Sequence, residues 1–218
     1  MIDFYCERTD PGLLAEPFNA LTNLAFLIAA WRAWVLVRDC NALTTGIRVL
    51  IALLISIAIG STLYHTFATA WARLLDLVPI LLFQFCYLWL YSRRLMGFGI
   101  GTALGSMVGL FAAIQVAQQF SRVLNGSLIY APALIVLIGL GLHHCRQKKR
   151  GQFLLLAATG IFTISLFFRT IDRAICPFFP LGTHFVWHLL NGIVLYLSMR
   201  AVLINRTNSF EVKQTGVC

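Results

Sequence analysis

Solid apolar runs, broken by short polar connections, set the pattern of this chain. Seven of them stand out: Asn19–Val37, Ile47–Phe67, Leu74–Leu90, Phe98–Ala117, Asn125–Leu142, Gln152–Phe168 and His184–Ile204. Each is near the ~20 residues that a membrane-spanning helix needs. Lipid offers the backbone no hydrogen-bond partner, so each run is expected to be helical. A β-barrel would show short segments of alternating polarity instead. The expected fold is all-α: a bundle of seven transmembrane helices. It forms a single domain over 1–218, with an acidic outer segment at 1–18 and a short cytoplasmic tail at 205–218.

Composition agrees with lipid as the surrounding solvent. Of 218 residues, 59% are hydrophobic and 11% charged, and the mean hydropathy is +0.81. Soluble domains carry about 25% charged residues. An ordinary soluble enzyme, a disordered chain and a disulfide-dense secreted module are therefore excluded. The net charge of +9 falls in the connections, with no basic stripe interleaved with aromatics, so nucleic acid is not an expected partner. The first residues, Met1 to Glu7, are acidic where a signal peptide would be basic, so the first span is expected to be retained.

Basic residues orient the bundle. One side holds Arg38, Arg48, Arg93, Arg94, Arg146, Lys148, Lys149, Arg150, Arg206 and Lys213; the other holds Arg8, Arg73, Arg122, Arg169 and Arg173. Ten against five places the C-terminus in the cytoplasm and the N-terminus outside. Short loops lean towards a bacterial inner membrane over a eukaryotic internal one. Glycines 97, 99, 101, 105 and 109 form a small-residue ladder that is read as helix packing. His143-His144-Cys145 reads as a solvated basic loop.

Ionisable residues within spans are expensive and mark function. The second span ends with Ser61-x-x-x-His65, the third begins around Asp76 and Pro79, and the seventh begins with His184-x-x-x-His188. Because successive spans alternate in direction, these three clusters fall at one depth on the outer side. Residues four apart share a helix face, so paired histidines can converge on one ion. Three His ligands with an open water position make a catalytic zinc geometry. Asp76 is a candidate to orient or deprotonate water, and Ser61 to donate to a developing oxyanion.

Four of the eight acidic residues, Asp3, Glu7, Asp10 and Glu16, lie in the first 16 positions. Their oxygens suit a hard cation such as calcium, although the spacing matches no EF-hand loop. A plain acidic cap is the alternative. Cys6 and Cys176 are the only cysteines in expected outer segments, where an oxidising compartment would let them pair.

Taken together, Ser61-x-x-x-His65, Leu75-Asp76-x-x-Pro79 and His184-x-x-x-His188 resemble the alkaline ceramidase family. That family belongs to a superfamily of seven-span hydrolases that includes the adiponectin receptors. Tyr5-Cys6-Glu7, Ala15-Glu16-Pro17-Phe18-Asn19 and Ile171-Asp172 with Cys176 are similar to it as well, so the resemblance runs from about residue 3 to 200. It implies a zinc-dependent membrane amidase that cleaves ceramide to a sphingoid base and a fatty acid. His65, His184 and His188 would be the zinc ligands, with Ser61 and Asp76 as catalytic helpers. It also implies calcium on the N-terminal segment, at Asp3, Tyr5, Glu7, Thr9 and Glu16. Here Asp3 is displaced by one position because Phe4 intervenes, and Thr9 stands where Asn is usual. The expected partner is a ceramide-like membrane lipid. The alternatives are a hydrolase of another acyl-amide or ester lipid, and a seven-span receptor or lipid-binding protein with structural zinc.

Overall fold

The computed structural model describes residues 5–120 and 123–205. Its helices are α1 (Pro17–Thr22), α2 (Leu24–Asp39), α3 (Thr45–Phe67), α4 (Ala70–Arg94), α5 (Ile100–Gln118), α6 (Ala131–Arg146), α7 (Leu154–Ile175) and α8 (His184–Leu203). A 3₁₀ segment, Val123–Tyr130, leads into α6, and there is no strand among the described residues. Helices α1 and α2 together form one span, and the bundle has seven helical spans long and apolar enough to cross a membrane. Large apolar side chains such as Leu74, Val108, Ile135 and Phe167 point outward all around it. Only lipid accepts so much exposed apolar surface.

The core is aliphatic and aromatic, with Ile47, Leu50, Leu54, Leu155, Met199 and Leu203 fully enclosed. Helix α8 packs between α2 and α7, and α3 lies along α4. Two close approaches fix these pairings. A Cβ at Gly192 would come within 2.9–3.1 Å of Ala25, so α8 meets α2 almost backbone to backbone there. A Cβ at Gly60 would lie 1.9 Å from the Leu75 carbonyl oxygen. Pro79 stands four residues after Leu75 inside α4 and has no N–H to give that carbonyl. The freed Leu75 carbonyl sits instead against the bare face of Gly60.

The structure corrects several expectations. The fifth span does not start as an α-helix at Asn125. Leu124, Asn125 and Gly126 have left-handed backbone, and α6 begins only at Ala131. The sixth span runs past Phe168 to Ile175, so Arg169 and Asp172 lie within it and not in an outer loop. His144 is not solvated: it is fully buried inside α6. Its ring bridges the Tyr91 hydroxyl at 2.9 Å and the Arg150 carbonyl at 3.1 Å, because the turn after α6 folds back over it. Among the described residues, nothing packs on the glycine ladder that leads into and runs along α5. A Cβ at Gly97, Gly99, Gly101, Gly105 or Gly109 would meet nothing within 4 Å. The tail from 206 onward lies outside the described residues.

Candidate metal centre

Three polar clusters meet at one end of the bundle. His65 is in the last turn of α3, Asp76 in the second turn of α4, and His184 and His188 in the first two turns of α8. All four side chains are buried. The imidazole centroids are 5.2 Å apart for His65–His184, 4.8 Å for His65–His188 and 4.6 Å for His184–His188. One ligand nitrogen from each ring lies within 4.8 Å of the others.

Neighbouring groups set the tautomers. Nδ1 of His65 lies 2.5 Å from Glu16 Oε2. The carboxylate can only accept, so Nδ1 carries the proton and Nε2 keeps its lone pair. Nδ1 of His188 lies 3.0 Å from Thr22 Oγ1. The Thr22 hydroxyl gives its own hydrogen to the Phe18 carbonyl at 2.8 Å, so it accepts from His188. This too leaves an Nε2 lone pair free. The buried Nδ1 of His184 has no hydrogen-bond partner among the described residues. Its ring is covered by Tyr5, stacked at 3.7 Å between centroids. Lone pairs gathered without a donor among them repel, and a bound cation removes that conflict. The donor set fits a metal that takes nitrogen ligands, with partner groups orienting two of the rings.

Ser61 and Asp76 are both buried and lie close to each other across the α3–α4 contact. Gly60 and the freed Leu75 carbonyl, each one residue before them, bring these side chains together. The remaining placement comes from Asp172, fully buried on α7. Its Oδ1 accepts the backbone N–H groups of Thr183 at 2.7 Å and His184 at 2.9 Å, and its Oδ2 accepts that of Cys6 at 3.0 Å. Asp172 thus caps the N-terminus of α8 from another helix. The turn before it needs Gly182, at φ +63°, where a Cβ would meet Asp172 and Cys6. Cys6 and Cys176 are bridged in the structure, with Cα atoms 5.5 Å apart.

Below the histidines lies an apolar cavity of about 110 Å³, whose walls include Phe26, Ile57, Ile80, Trp187, Asn191 and Ser198. Ile57 is one turn before Ser61 and Ile80 one turn after Asp76. Ser198 is ten residues beyond His188, which at 1.5 Å per residue puts the far wall about 15 Å deeper. Arg169 stands beside this cavity. It bonds the Asn125 carbonyl at 3.1 Å and Ser127 Oγ at 2.9 Å, and its guanidinium lies over the rings of Tyr130 and Trp187 at 5.0 and 5.6 Å.

A buried histidine triad thus stands beside Ser61 and Asp76, with an apolar cavity deeper in the bundle. The sequence fits the family profile described as Ceramidase over residues 5–216. The chain belongs to the ceramidase family. Membership makes it a multi-pass membrane hydrolase with a lipid substrate. No individual curated protein matches closely enough to add to this assignment.

The calcium ligands that the resemblance implies do not assemble among the described residues. Asp3 lies outside them. Tyr5 is stacked on His184, and Thr9 is exposed. The two carboxylate oxygens of Glu7 accept the backbone N–H groups of Phe18 at 2.7 Å and Asn19 at 2.8 Å, which caps α1. Glu16 accepts from Arg8, His65 and the Asn19 amide. Hydrogen-bond donors occupy the oxygens that calcium would need. Burial pushes the Glu7 carboxyl up against the pull of those N–H groups. Burial also acts to raise Glu16, but the hydrogen bonds it accepts from His65, Arg8 and Asn19 outweigh it and hold Glu16 below the usual carboxylate range. Burial raises the Tyr5 phenol well above its ordinary value.

Sequence reasoning missed Arg8, Thr22, Arg169 and Gly60 as parts of this end of the bundle, and counted the first and third only as loop charges. Gly60, next to Ser61 and well spaced from Pro79, carried the one readable signal.

Proposed function

We propose that the chain is a zinc-dependent intramembrane amidohydrolase that cleaves ceramide or a related lipid amide into a sphingoid base and a fatty acid. The observation that carries this reading is the group of three converging, buried imidazoles with Ser61 and Asp76 beside it, above an apolar cavity. His65, His184 and His188 would hold the ion, since three imidazoles with an open position suit zinc. When bound, zinc supplies Lewis acidity and makes water a nucleophile near neutral pH.

The chain's own groups do the rest. Water adds its oxygen to the amide carbonyl carbon as Asp76 accepts its proton. The Ser61 hydroxyl turns to the carbonyl oxygen as that oxygen gains negative charge. The C–N bond then breaks, and the proton held by Asp76 passes to the leaving nitrogen, so acid and amine both leave complete. The apolar lining of the cavity suits a hydrocarbon tail that need not leave the bilayer. Ten basic residues against five favour the N-terminus, and with it the site, on the outer face.

Purified protein incubated with mixed lipid amides and esters tests the reading. Fatty acid and sphingoid base released in equal amounts from ceramide are expected, together with bound zinc by elemental analysis. Bound zinc with no acid released from any lipid would make the chain a binding protein.

A further inference from the structure

Arg8 is enclosed to 5% exposure, and all three of its nitrogens are used. Nε bonds Glu16 Oε1 at 2.6 Å, Nη1 the Gly12 carbonyl at 3.2 Å and Nη2 the His65 carbonyl at 2.8 Å. A carboxylate oxygen and two backbone carbonyls, drawn from the N-terminal segment and the end of α3, are the kind of ligands a hard divalent cation gathers. The His65 carbonyl belongs to the last turn of α3, where carbonyls lack helical partners and the helix dipole is negative. A positive charge is thus called for at this point, and the chain supplies it from its own Arg8 side chain.

We infer that Arg8 is the resident cation of the N-terminal segment. Its guanidinium does what a bound calcium ion would do, tying residues 7–16 to the end of α3 and holding Glu16 on His65. The chain therefore folds and positions His65 without calcium. Arg8 is a positioning residue: it touches neither substrate nor metal and acts through Glu16. The planar fork suits the task, since it reaches three acceptors at once from one buried side chain.

The test uses the full chain in lipid nanodiscs, with free zinc held constant while calcium is added or chelated. The parent protein is expected to melt at the same temperature in both media and to give no saturable heat on titration with calcium. Arg8→Gln leaves buried acceptors without their cation. It is expected to melt at least about 5 °C lower and to regain most of that loss when calcium is added. A calcium-induced rise in the melting temperature of the parent, or a saturable calcium heat, would overturn the inference. So would an Arg8→Gln protein that melts with the parent. One that is destabilised and not restored by calcium would reduce Arg8 to an ordinary ion pair. None of these readouts uses turnover, so they stand apart from the proposed reaction.

Discussion

Glu16 gives one carboxylate oxygen to Nε of Arg8 and the other to Nδ1 of His65, at 2.6 and 2.5 Å. A residue of the N-terminal segment thereby orients an imidazole 49 positions later in the chain. The carboxylate strengthens that ring as a base and fixes which nitrogen faces the cluster. Removing such a partner typically costs about 10–100-fold in metal affinity. Glu16→Gln is expected to lose zinc by that factor in a competition titration with a chromophoric chelator. Unchanged affinity would remove Glu16 from the support of the site.

Asp76→Asn keeps size and removes the base. Turnover of ceramide is expected to fall about 10²–10⁴-fold, while zinc content stays at that of the parent. His188→Ala should lose zinc and turnover together. An Asp76→Asn protein of full activity would take Asp76 out of the mechanism, and one without zinc would make it a ligand.

Gly60→Ala tests the contact between α3 and α4. The added methyl would fall 1.9 Å from a backbone oxygen, which cannot rotate away. The helices must separate, at a cost of about 1–3 kcal/mol or more. Because Ser61 and Asp76 follow the two contacting residues, turnover should drop further than stability alone explains, on the order of 10²-fold for a 1 Å displacement. Melting temperature and single-turnover rate, measured on one preparation, separate the two effects.

Asp172→Asn removes a charged acceptor from three backbone N–H groups. The amide has one oxygen to offer and turns its own donors towards at least one of them. A loss of about 1–3 kcal/mol in stability is expected, and a weaker hold on zinc through His184. Hydrogen exchange at the N-terminus of α8 would show it directly, as faster exchange at Thr183 and His184 than in the parent.

Orientation rests on the basic residues alone. A reporter fused after Cys218 is expected to read cytoplasmic, and an N-terminal tag to be reachable from outside. The reverse would put the metal centre on the cytoplasmic side. Mass spectrometry of the unreduced protein adds a second check, since a Cys6–Cys176 bridge persists in an oxidising outer compartment.

The apolar runs by themselves determined seven helical spans, because lipid leaves a backbone no other way to satisfy its hydrogen bonds. They also determined that His65, Asp76, His184 and His188 share one end of the bundle. Once helices alternate in direction, the end of one span and the starts of two others must lie at one depth. Tertiary structure alone decided the rest. Whether Arg8 faces solvent or fills a gap between Glu16 and the end of α3 depends on where a 16-residue segment folds, and local pattern does not encode that. The same holds for Arg169, which an apolar run ending at Phe168 leaves outside, yet which α7 carries inward beside the cavity. The α5 glycines make the converse case. A small-residue ladder permits close packing but does not supply a partner, and none approaches it among the described residues.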